Sequence, residues 1–255
     1  MLAAKRLSSI RDLLNNGDSV SVAELSRTFN VTEETIRRDL DKITKDDHAV
    51  VRVHGGAYKI KNFDREAPYA LRETLLVAEK ERMAQTGYTM LEEGDTIMLD
   101  SSTSALHLAQ AIKRGTLKIS VITNSLRIAL ELSDCPHANL IVAGGAYRPS
   151  SRSFVGYSAT GTLDDFHADK AFVSCSGLHA RSGLTDNSES EARVRRTMLE
   201  NSDYRYLLVD SDKFGRSKSH RIAHLTGIHS LFTDKEPDAE LKEMLLKNNI
   251  NIIVC

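Results

Sequence analysis

The sequence predicts an α/β protein in which a small N-terminal domain of helices and a β-wing precedes a larger, mostly parallel α/β domain. Two observations support this class. Within the first sixty residues, three apolar helical stripes are followed by a short β-like run. Farther on, apolar β-branched runs that end in small or polar residues alternate with helix-like segments. A chain of 255 residues is long enough for two domains of unequal size.

The N-terminal region contains three predicted short helices. The first, Arg6 to Asn15, has apolar residues at spacings of three and four. Ser21 begins the second, and Glu24 three residues later predicts a capping box. After a very short break, Thr32 caps the third helix, which runs from Glu33 to Lys45.

A β-like run from Ala49 to Val53 follows the third helix and leads into His54-Gly55-Gly56. Two helices joined by a tight turn and followed by a β-wing have the order of a winged helix-turn-helix domain, whose last helix enters the DNA major groove. We therefore expect a DNA-binding domain at residues 1–58. Its predicted DNA contacts are Thr32, Thr35, Arg37, Arg38, Lys42, Arg52 and His54.

Bulk charge does not separate this interpretation from a solvated helix face in some other small domain. The formal net charge is −1, and residues 1–60 carry ten Lys or Arg against nine Asp or Glu. A DNA-binding domain of this composition must place its positive charge locally. Arg37 or Arg38 could make a bidentate contact to guanine. The helix spacing, the tight turn and the wing together favour the DNA interpretation.

Residues 59–75 lack clear periodicity and include Pro68, so we place a linker there. A predicted helix from about Leu76 to Leu91 opens the second domain, residues 76–255. Continuously apolar strands that alternate with helices predict a mostly parallel sheet covered on both faces. The seven apolar runs begin at Thr96, Ser120, Asn139, Ala171, Tyr206, Ser230 and Ile250.

Five of these runs end in Ser, Thr, Asn, Asp or Gly. Ligands of parallel sheets bind beyond the carboxyl ends of the strands, and the free N–H groups of a helix N-terminus attract anions. The residues Asp100 to Ser104 follow one run and open a helix, which predicts a site for a phosphate-sized ligand. The predicted ligand residues are Asp100, Ser101, Ser102, Thr103, Ser104, Asn124, Ser125, Gly144, Gly145, Arg148, Ser174, Ser176, Gly177 and Lys213.

Structural roles stay open for several of these residues. The hydroxyls between Asp100 and Ser104 could form an ordinary helix N-cap. The carboxamide of Asn124 could bond a nearby backbone group instead of a sugar hydroxyl. Gly144-Gly145 and Arg148 could belong to a surface turn, and Lys213 could serve either purpose.

Other patterns give little support to catalysis or to a bound metal. Glu189 and Glu191 lie two apart near a helix start, where they fall on nearly opposite sides, so we interpret them as partners of the helix dipole. His220, His224 and His229 have loosely zinc-like spacing, but no cysteine or carboxylate cluster accompanies them. The chain lacks the G-x-S-x-G, GxxxxGK[ST] and G-x-G-x-x-G motifs. We predict no metal, no cofactor and no enzymatic activity.

The cysteines and the N-terminus predict the compartment. Cys135, Cys175 and Cys255 are odd in number and contain no C-x-x-C, which is typical of a reduced intracellular protein. The N-terminus turns polar too soon for a signal peptide, and no apolar run approaches 18 residues. We therefore expect a cytoplasmic protein without a membrane partner.

The stretch from Arg6 to Ala57 resembles the DeoR family of bacterial sugar-metabolism regulators. The specific segments are Val31 to Leu40, which contains TIRRDL, and the HGGA at His54 to Ala57. The second domain is similar to the sensor of that family, which resembles ribose-5-phosphate isomerase in fold. The matching stretches are Gly94-Asp95, Asp100 to Ser104, Thr123 to Ser125, Gly144-Gly145, Phe154 to Gly156, Ala168 to Lys170 and Asp210 to Gly215.

The sequence departs from the family pattern in two places. A glycine usually marks the turn before the wing, where this chain has Asp46-Asp47-His48 and a wing that is one residue longer. The related isomerases carry acidic catalytic residues after the strand that corresponds to Ala171 to Ser176. This chain has Ser174-Cys175-Ser176-Gly177 there, without a carboxylate to move a proton, so we expect binding without catalysis.

The resemblance implies a DNA-binding regulator, dimeric or tetrameric, that represses a carbohydrate-metabolism operon. A phosphorylated sugar or related metabolite is the implied effector; in many members of the family it releases the operator, and activation is also open. Two alternatives belong to other classes. One is a sugar-phosphate isomerase-like enzyme with an added winged helix, and the other is a protein-interaction module that uses the winged helix.

Overall fold

A computed structural model describes residues 3–17, 19–47, 50–53, 55–59 and 69–255. The chain divides into two compact units, Met1–Val77 and Ala78–Cys255. His48, Ala49, His54 and most of the predicted linker (60–68) lie outside the described residues.

The first unit combines helices with a small antiparallel sheet in the strand order β1-β3-β2. Its apolar helix stripes meet in one core, which includes the fully buried Ile10, Ile36, Leu40 and Ile43. This confirms the spacing-based prediction of three core-facing helices. The elements are α1 (Ala3–Gly17), β1 (Ser19–Ser21), α2 (Val22–Phe29), α3 (Glu33–Asp46), β2 (Val50–Val53), β3 (Gly56–Lys59) and α4 (Tyr69–Thr74).

The tight turn between α2 and α3 forms as the sequence predicts. Asn30 ends α2 in the left-handed conformation, with φ of 50°, which asparagine tolerates better than most residues. Thr32 then caps α3, because its side chain accepts a hydrogen bond from the Thr35 backbone N–H at 3.3 Å.

The capping box predicted at the start of α2 is wrong. Ser21 is the N-cap residue, but its side chain makes no capping hydrogen bond. The segment instead pairs with β3 as a short strand that the sequence analysis missed. The Val22 N–H, one of the free donors of the first helical turn, donates to the carbonyl of Gly55 at 2.7 Å.

The region around the wing also differs from the expectation. Helix α3 runs to Asp46, and Lys59 Nζ lies 2.9 Å from Asp47 Oδ2, so an acidic residue at this turn binds the end of the wing. Strands β2 and β3 form the predicted wing as an antiparallel pair.

The helix α4 lies inside the segment that we predicted as a linker, where the sequence shows no helical periodicity.

The second unit contains six helices and twelve strands, all within the continuously described stretch 78–255 apart from Val77 at the start of α5. The helices are α5 (Val77–Tyr88), α6 (Thr103–Arg114), α7 (Leu126–Leu132), α8 (Tyr157–Asp164), α9 (Glu189–Glu200) and α10 (Ala239–Lys247). The strands are β4 (Thr96–Leu99), β5 (Ile119–Thr123), β6 (Ala138–Val142), β7 (Ala146–Arg148), β8 (Ser153–Val155), β9 (Ala168–Val173), β10 (Gly177–His179), β11 (Gly183–Asp186), β12 (Ser202–Leu208), β13 (His220–Ala223), β14 (Ser230–Thr233) and β15 (Asn251–Val254).

Seven of these strands form one sheet in the order β15-β14-β12-β9-β4-β5-β6, and every pairing in it is parallel. They correspond to the seven predicted apolar runs, so the predicted parallel sheet is confirmed. In the register, Leu99 of β4 lies opposite Thr123 of β5 and Phe172 of β9. The carboxyl ends of these three strands therefore lie side by side.

Helices cover both faces of the sheet, as expected for continuously apolar strands. Residues of α5, α6 and α7 pack with Phe172 and Phe232 in one core cluster. Residues of α8, α9 and α10 pack with Met98 and Leu207 in the other. Two smaller antiparallel groups, β7-β8 and β10-β11-β13, were not predicted, because their strands are short and their polar residues interrupt any apolar run.

Candidate functional site

Helix α3 presents an exposed charged face. Arg37 Nη2 lies 2.7 Å from Glu33 Oε2, and Arg38 Nε lies 3.4 Å from Glu34 Oε1. Both arginines are exposed, and helical pairs of this kind contribute only about 0.2–0.5 kcal/mol each. The guanidinium groups can therefore leave the first-turn carboxylates for phosphates or base edges.

Three further predicted contacts lie on the same helix or on its cap. Thr32 and Thr35 have their hydroxyl oxygens 2.9 Å apart at the N-terminus of α3. Lys42 is exposed, and no ion pair joins it to another described residue. Because Thr35, Arg38 and Lys42 follow at spacings of three and four, they share one helical face.

Arg52, one of the predicted DNA contacts, bonds two residues of its own unit. Its Nε donates to Asp41 Oδ1 at 3.0 Å, and its Nη1 donates to the Gly56 carbonyl at 2.9 Å. In this structure Arg52 connects the wing to α3. A direct DNA contact by Arg52 stays a prediction, and His54 lies outside the described residues.

The sequence analysis missed a buried ion pair that joins α3 to α1. Arg6 Nε lies 2.5 Å from Asp39 Oδ2, and both side chains are largely buried. The hydrogen bond to the Asp39 carboxylate raises the pKa of Arg6. This pair joins α1 to the inner side of α3 and so fixes the orientation of the exposed face.

At the carboxyl edge of the parallel sheet, the loops after β4 and β9 are bonded to each other. Asp100 Oδ1 accepts from the Ser102 backbone N–H, and Asp100 Oδ2 accepts from the Ser174 backbone N–H, each at 3.1 Å. Asp100 therefore holds the two loops together, and its predicted contact with a ligand stays a prediction.

The four hydroxyl residues after Asp100 separate into two pairs. Ser101 Oγ donates to Glu191 Oε2 at 2.9 Å, and Ser102 Oγ accepts from the Ala105 N–H as the cap of α6. Among the described residues, neither the hydroxyls nor the backbone N–H groups of Thr103 and Ser104 have a hydrogen-bond partner. The first pair serves the loop, and the second pair offers donors to an anion.

Asn124 combines the two roles that the sequence left open. Its Nδ2 donates to the Phe154 carbonyl at 2.9 Å, which holds β8 against the end of β5. Its Oδ1 is buried and has no hydrogen-bond partner among the residues that the structure describes. The neighbouring Ser125 caps α7 by accepting from the Ile128 N–H at 3.3 Å, so its hydroxyl has a structural role.

The glycine pair and Arg148 lie at a more open part of this edge. Gly145 has φ of 154°, and a Cβ there would lie 2.6 Å from the Val155 carbonyl oxygen, so only glycine fits beside β8. Gly144 is exposed and has open space around it. Arg148 is partly buried and donates from Nη1 to Ser151 Oγ at 3.0 Å.

The residues after β9 have structural contacts. Ser176 Oγ donates to Asp186 Oδ2 at 3.2 Å. A Cβ on Gly177 would lie 2.5 Å from the Arg216 carbonyl oxygen, so close backbone packing requires the glycine. Lys213 ends the 3-10 helix Ser211–Lys213 and is partly exposed. Lys213 is the one cation among the predicted ligands near this loop, and no ion pair joins its ammonium to another described residue.

A buried ionic cluster, formed by Arg195 with Asp100, Asp186 and Glu191, lies behind this edge. Arg195 Nε is 2.6 Å from Asp100 Oδ2, its Nη1 bonds Asp186 Oδ2, and its Nη2 is 3.8 Å from Glu191 Oε2. Each of these side chains is at most 5 % exposed. The i, i+4 spacing of Glu191 and Arg195 on α9 was the only sequence signal for this cluster.

Glu191 has a larger role than the helix-dipole interpretation assigned to it. Its Oε1 accepts hydrogen bonds from Ser151 Oγ at 2.6 Å and from Ser153 Oγ at 2.5 Å. Glu189 is exposed and pairs with Arg193, as a first-turn carboxylate on the other side of the helix should. The dipole interpretation fits Glu189 and is incomplete for Glu191.

The loop after β9 has no carboxylate of its own, as the sequence analysis noted. Asp100 and Asp186 come to this place from other elements, and both carboxylates are bonded to Arg195. Cys175 lies between the two serines of the loop, and burial raises the pKa of its thiol to about 12. A thiol in this state does not act as a nucleophile at neutral pH.

Within the part of the chain that the structure describes, no group of three or more His, Cys, Asp or Glu side chains is placed to hold a metal ion. His224 Nε2 lies 3.1 Å from Arg221 Nη1, and His229 Nδ1 accepts from the Arg205 N–H. None of the described helices has the length and apolar character that crossing a membrane requires.

Comparisons with known families match both units. The DeoR-like helix-turn-helix domain matches residues 6–63, and the DeoR C terminal sensor domain matches residues 76–235. These matches agree with the winged-helix and sensor interpretations of the sequence. Together they cover most of the chain.

Individual relatives match over nearly their whole length. The uncharacterized HTH-type transcriptional regulator YulB of Bacillus subtilis (strain 168) is 38 % identical over 238 residues, which are 93 % of this chain and 91 % of YulB. The glycerol-3-phosphate regulon repressor of Escherichia coli (strain K12) is 27 % identical, with all of both chains covered.

Among solved structures, ribose 5-phosphate isomerase A of Methanocaldococcus jannaschii has a TM-score of 0.39 at 16 % identity, with 53 % of each chain covered.

Proposed function

Because the chain belongs to the DeoR family, whose members are DNA-binding transcription regulators, we propose that it represses a carbohydrate-metabolism operon and that a phosphorylated sugar or related metabolite modulates its operator binding. The name of the Escherichia coli relative, a glycerol-3-phosphate regulon repressor, supports both parts of this proposal. The exposed α3 face reads the operator, and the carboxyl edge of the parallel sheet holds the effector. We also propose a cytoplasmic protein, because operator DNA and phosphorylated metabolites would be met there.

The effector assignment rests on one observation: unpaired donors and an unpaired acceptor lie at neighbouring strand ends. The N–H groups and hydroxyls of Thr103 and Ser104 are donors at the N-terminus of α6 and suit a phosphate group. The buried Asn124 Oδ1 receives no hydrogen bond from the described part of the chain, and a sugar hydroxyl supplies a donor. A buried acceptor without a partner weakens the unbound state by about 1–3 kcal/mol, so a ligand that satisfies it gains affinity.

The ionic cluster restricts where the phosphate can bind. The hydroxyls of Ser101, Ser151 and Ser153 already donate to the Glu191 carboxylate, which would repel an anion placed among them. The phosphate therefore binds at the start of α6, where Thr103 and Ser104 offer donors. The loop after β5 faces the sugar.

We also propose a homo-oligomer, a dimer or tetramer, because paired recognition helices match two-fold operators. The recognition helices of such an oligomer can adopt an arrangement that fits the operator and one that does not. The effector changes DNA affinity only if it binds more tightly to one of these two arrangements. Sedimentation of the purified chain with and without a two-half-site operator tests this part. A complex with one chain per operator contradicts it.

The second candidate is an isomerase-like enzyme. The observations that favour sensing over catalysis are the bonding of Asp100 and Asp186 to Arg195 and the raised pKa of the Cys175 thiol. Incubation of the purified protein with pentose and hexose phosphates tests the choice. Turnover would show that the proposal of a sensor without enzymatic activity is wrong.

A thermal-shift series tests the effector proposal directly. Phosphorylated sugars should raise the melting temperature, and their unphosphorylated counterparts should not, because a ligand that binds only the folded state stabilises it. Thr103→Ala should reduce the shift. Thr116→Ala is the control, since the Thr116 side chain, in the loop after α6, has no hydrogen bond to another described residue. Equal shifts for sugars with and without phosphate would contradict the phosphate assignment.

A further inference from the structure

We propose that a groove beside the C-terminal half of α9 is a second anion site, which binds a phosphorylated small molecule. The groove has a volume of about 480 Å³, which lies in the range of small-molecule sites. Its polar lining comes from Arg196, Glu200, Arg205, Arg221, His224 and Thr226. None of these residues belongs to the effector edge.

The charge of the lining selects an anion. Three arginines face the groove, and Glu200 is the one carboxylate among its lining residues. Like charges gathered around one concavity raise the local concentration of counter-ions. The planar guanidinium fork matches the oxygens of a phosphate, so a phosphomonoester or a pyrophosphate is a better fit than a singly charged carboxylate.

Two of the arginines are held in place by the backbone. Arg196 Nε donates to the Ile222 carbonyl at 3.0 Å, and its Nη2 donates to the Arg221 carbonyl. Arg205 Nε donates to the Ser202 carbonyl at 3.3 Å. Among the described residues, Arg196 Nη1 and both terminal nitrogens of Arg205 have no hydrogen-bond partner. One edge of each guanidinium is anchored while donors on another edge stay available, which lowers the entropy lost on binding.

The turn at Gly227 brings the other wall close to these donors. Gly227 has φ of 80°, and a Cβ there would lie 2.8 Å from Arg205 Nη1. Glycine therefore allows the turn to approach the guanidinium without a side chain between them. On the same wall, Arg221 Nη1 lies 3.1 Å from His224 Nε2, and its second terminal nitrogen has no partner among the described residues.

The groove is distinct from the effector edge, although both use α9. The ionic cluster takes Glu191 and Arg195 from this helix, whereas the groove takes Arg196, Leu199 and Glu200. Substitutions can therefore separate the two sites. The existence of the second site does not depend on the proposed effector site, so either proposal can fail alone.

Calorimetric titration of the full chain with pyrophosphate tests the groove. The double variant Arg205→Gln/Arg221→Gln removes two cations but keeps side chains of similar length, and it should bind pyrophosphate at least about tenfold more weakly because charge-assisted donors are lost. Arg193→Gln is the matched control, since Arg193 is an exposed arginine of α9 outside the groove. Thr103→Ala should retain the groove binding as well.

Two outcomes would overturn the proposal. One is wild-type protein that does not bind pyrophosphate at millimolar concentration, and the other is a double variant that binds as tightly as Arg193→Gln. Arg221→Gln alone repeats the test if the double variant does not fold, because the side chain of Arg221 is exposed and, among the described residues, bonds only His224. Inorganic phosphate and glucose 6-phosphate, titrated in parallel, distinguish free phosphate from a phosphomonoester as the ligand.

Discussion

The exposed face of α3 and the buried cluster around Arg195 use the same residue types for opposite purposes. On α3, the side chains of Arg37 and Arg38 are 47 % and 76 % exposed and pair with carboxylates of their own helix. Arg195 is 5 % exposed and joins carboxylates from three different elements. Exposed pairs contribute little, so the α3 arginines can exchange partners for DNA. Removing one member of a buried cluster leaves unpaired charge, so Arg195 fixes the geometry of the strand ends.

This contrast yields the largest predicted effect. Arg195→Ala should lower the free energy of unfolding of the second unit by about 3–5 kcal/mol, because Asp100 and Asp186 would keep buried charges without their partner. Arg193→Ala, on the same helix but exposed, should change it by less than about 1 kcal/mol. Urea denaturation followed by circular dichroism measures both. Equal losses for the two variants would remove the distinction between the regions.

The next effect concerns operator binding. Arg37→Ala and Arg38→Ala should each weaken it by about 1–3 kcal/mol if the residue contacts a base. Fluorescence anisotropy with an operator selected from random duplex DNA gives the affinities. Arg11→Ala, which removes an exposed pair with Asp46 on another helix, should leave the operator affinity unchanged. Unchanged affinity in both α3 variants would show that this helix does not read the operator.

A smaller effect is expected for the link between the wing and α3. A double-mutant cycle of Arg52→Ala and Asp41→Ala should give a coupling of about 0.2–1 kcal/mol in the stability of the first unit, as partly exposed pairs do. If Arg52 contacts the DNA backbone instead, its substitution lowers the salt dependence of operator binding, and Asp41→Ala does not. The two measurements separate a positioning role from a phosphate contact.

The smallest expected effect is that the Cys175 thiol of the native protein does not react with an alkylating reagent. A pKa raised to about 12 leaves the Cys175 thiol protonated at pH 8, whereas an ordinary thiol is partly ionised there. Iodoacetamide at pH 8 should therefore spare Cys175 in the native protein and modify it after denaturation, as peptide mass spectrometry can show. Rapid native labelling of Cys175 would indicate a reactive thiol and would reopen the enzymatic alternative.

The sequence predicted features that depend on neighbours along the chain and missed those that depend on distant ones. Apolar runs located the seven parallel strands, and the spacing around Thr32 located α3, since periodicity and capping are local. The contacts of Glu191 with Ser101 and of Arg195 with Asp100 span 90 and 95 residues, and no local pattern encodes them. For this reason the sequence could assign Asp100 and Ser101 only to a ligand, and their contacts with Arg195 and Glu191 were missed.

Operator release by a sugar phosphate tests the central claim, that the donors at the start of α6 hold the effector that controls DNA binding. A phosphorylated sugar that stabilises the wild-type protein should release the labelled operator from it. Thr103→Ala, with unchanged operator affinity in the absence of the sugar, should need at least about tenfold more of it, the loss expected for a hydrogen bond to a charged group. Release from Thr103→Ala at the wild-type concentration would contradict the claim.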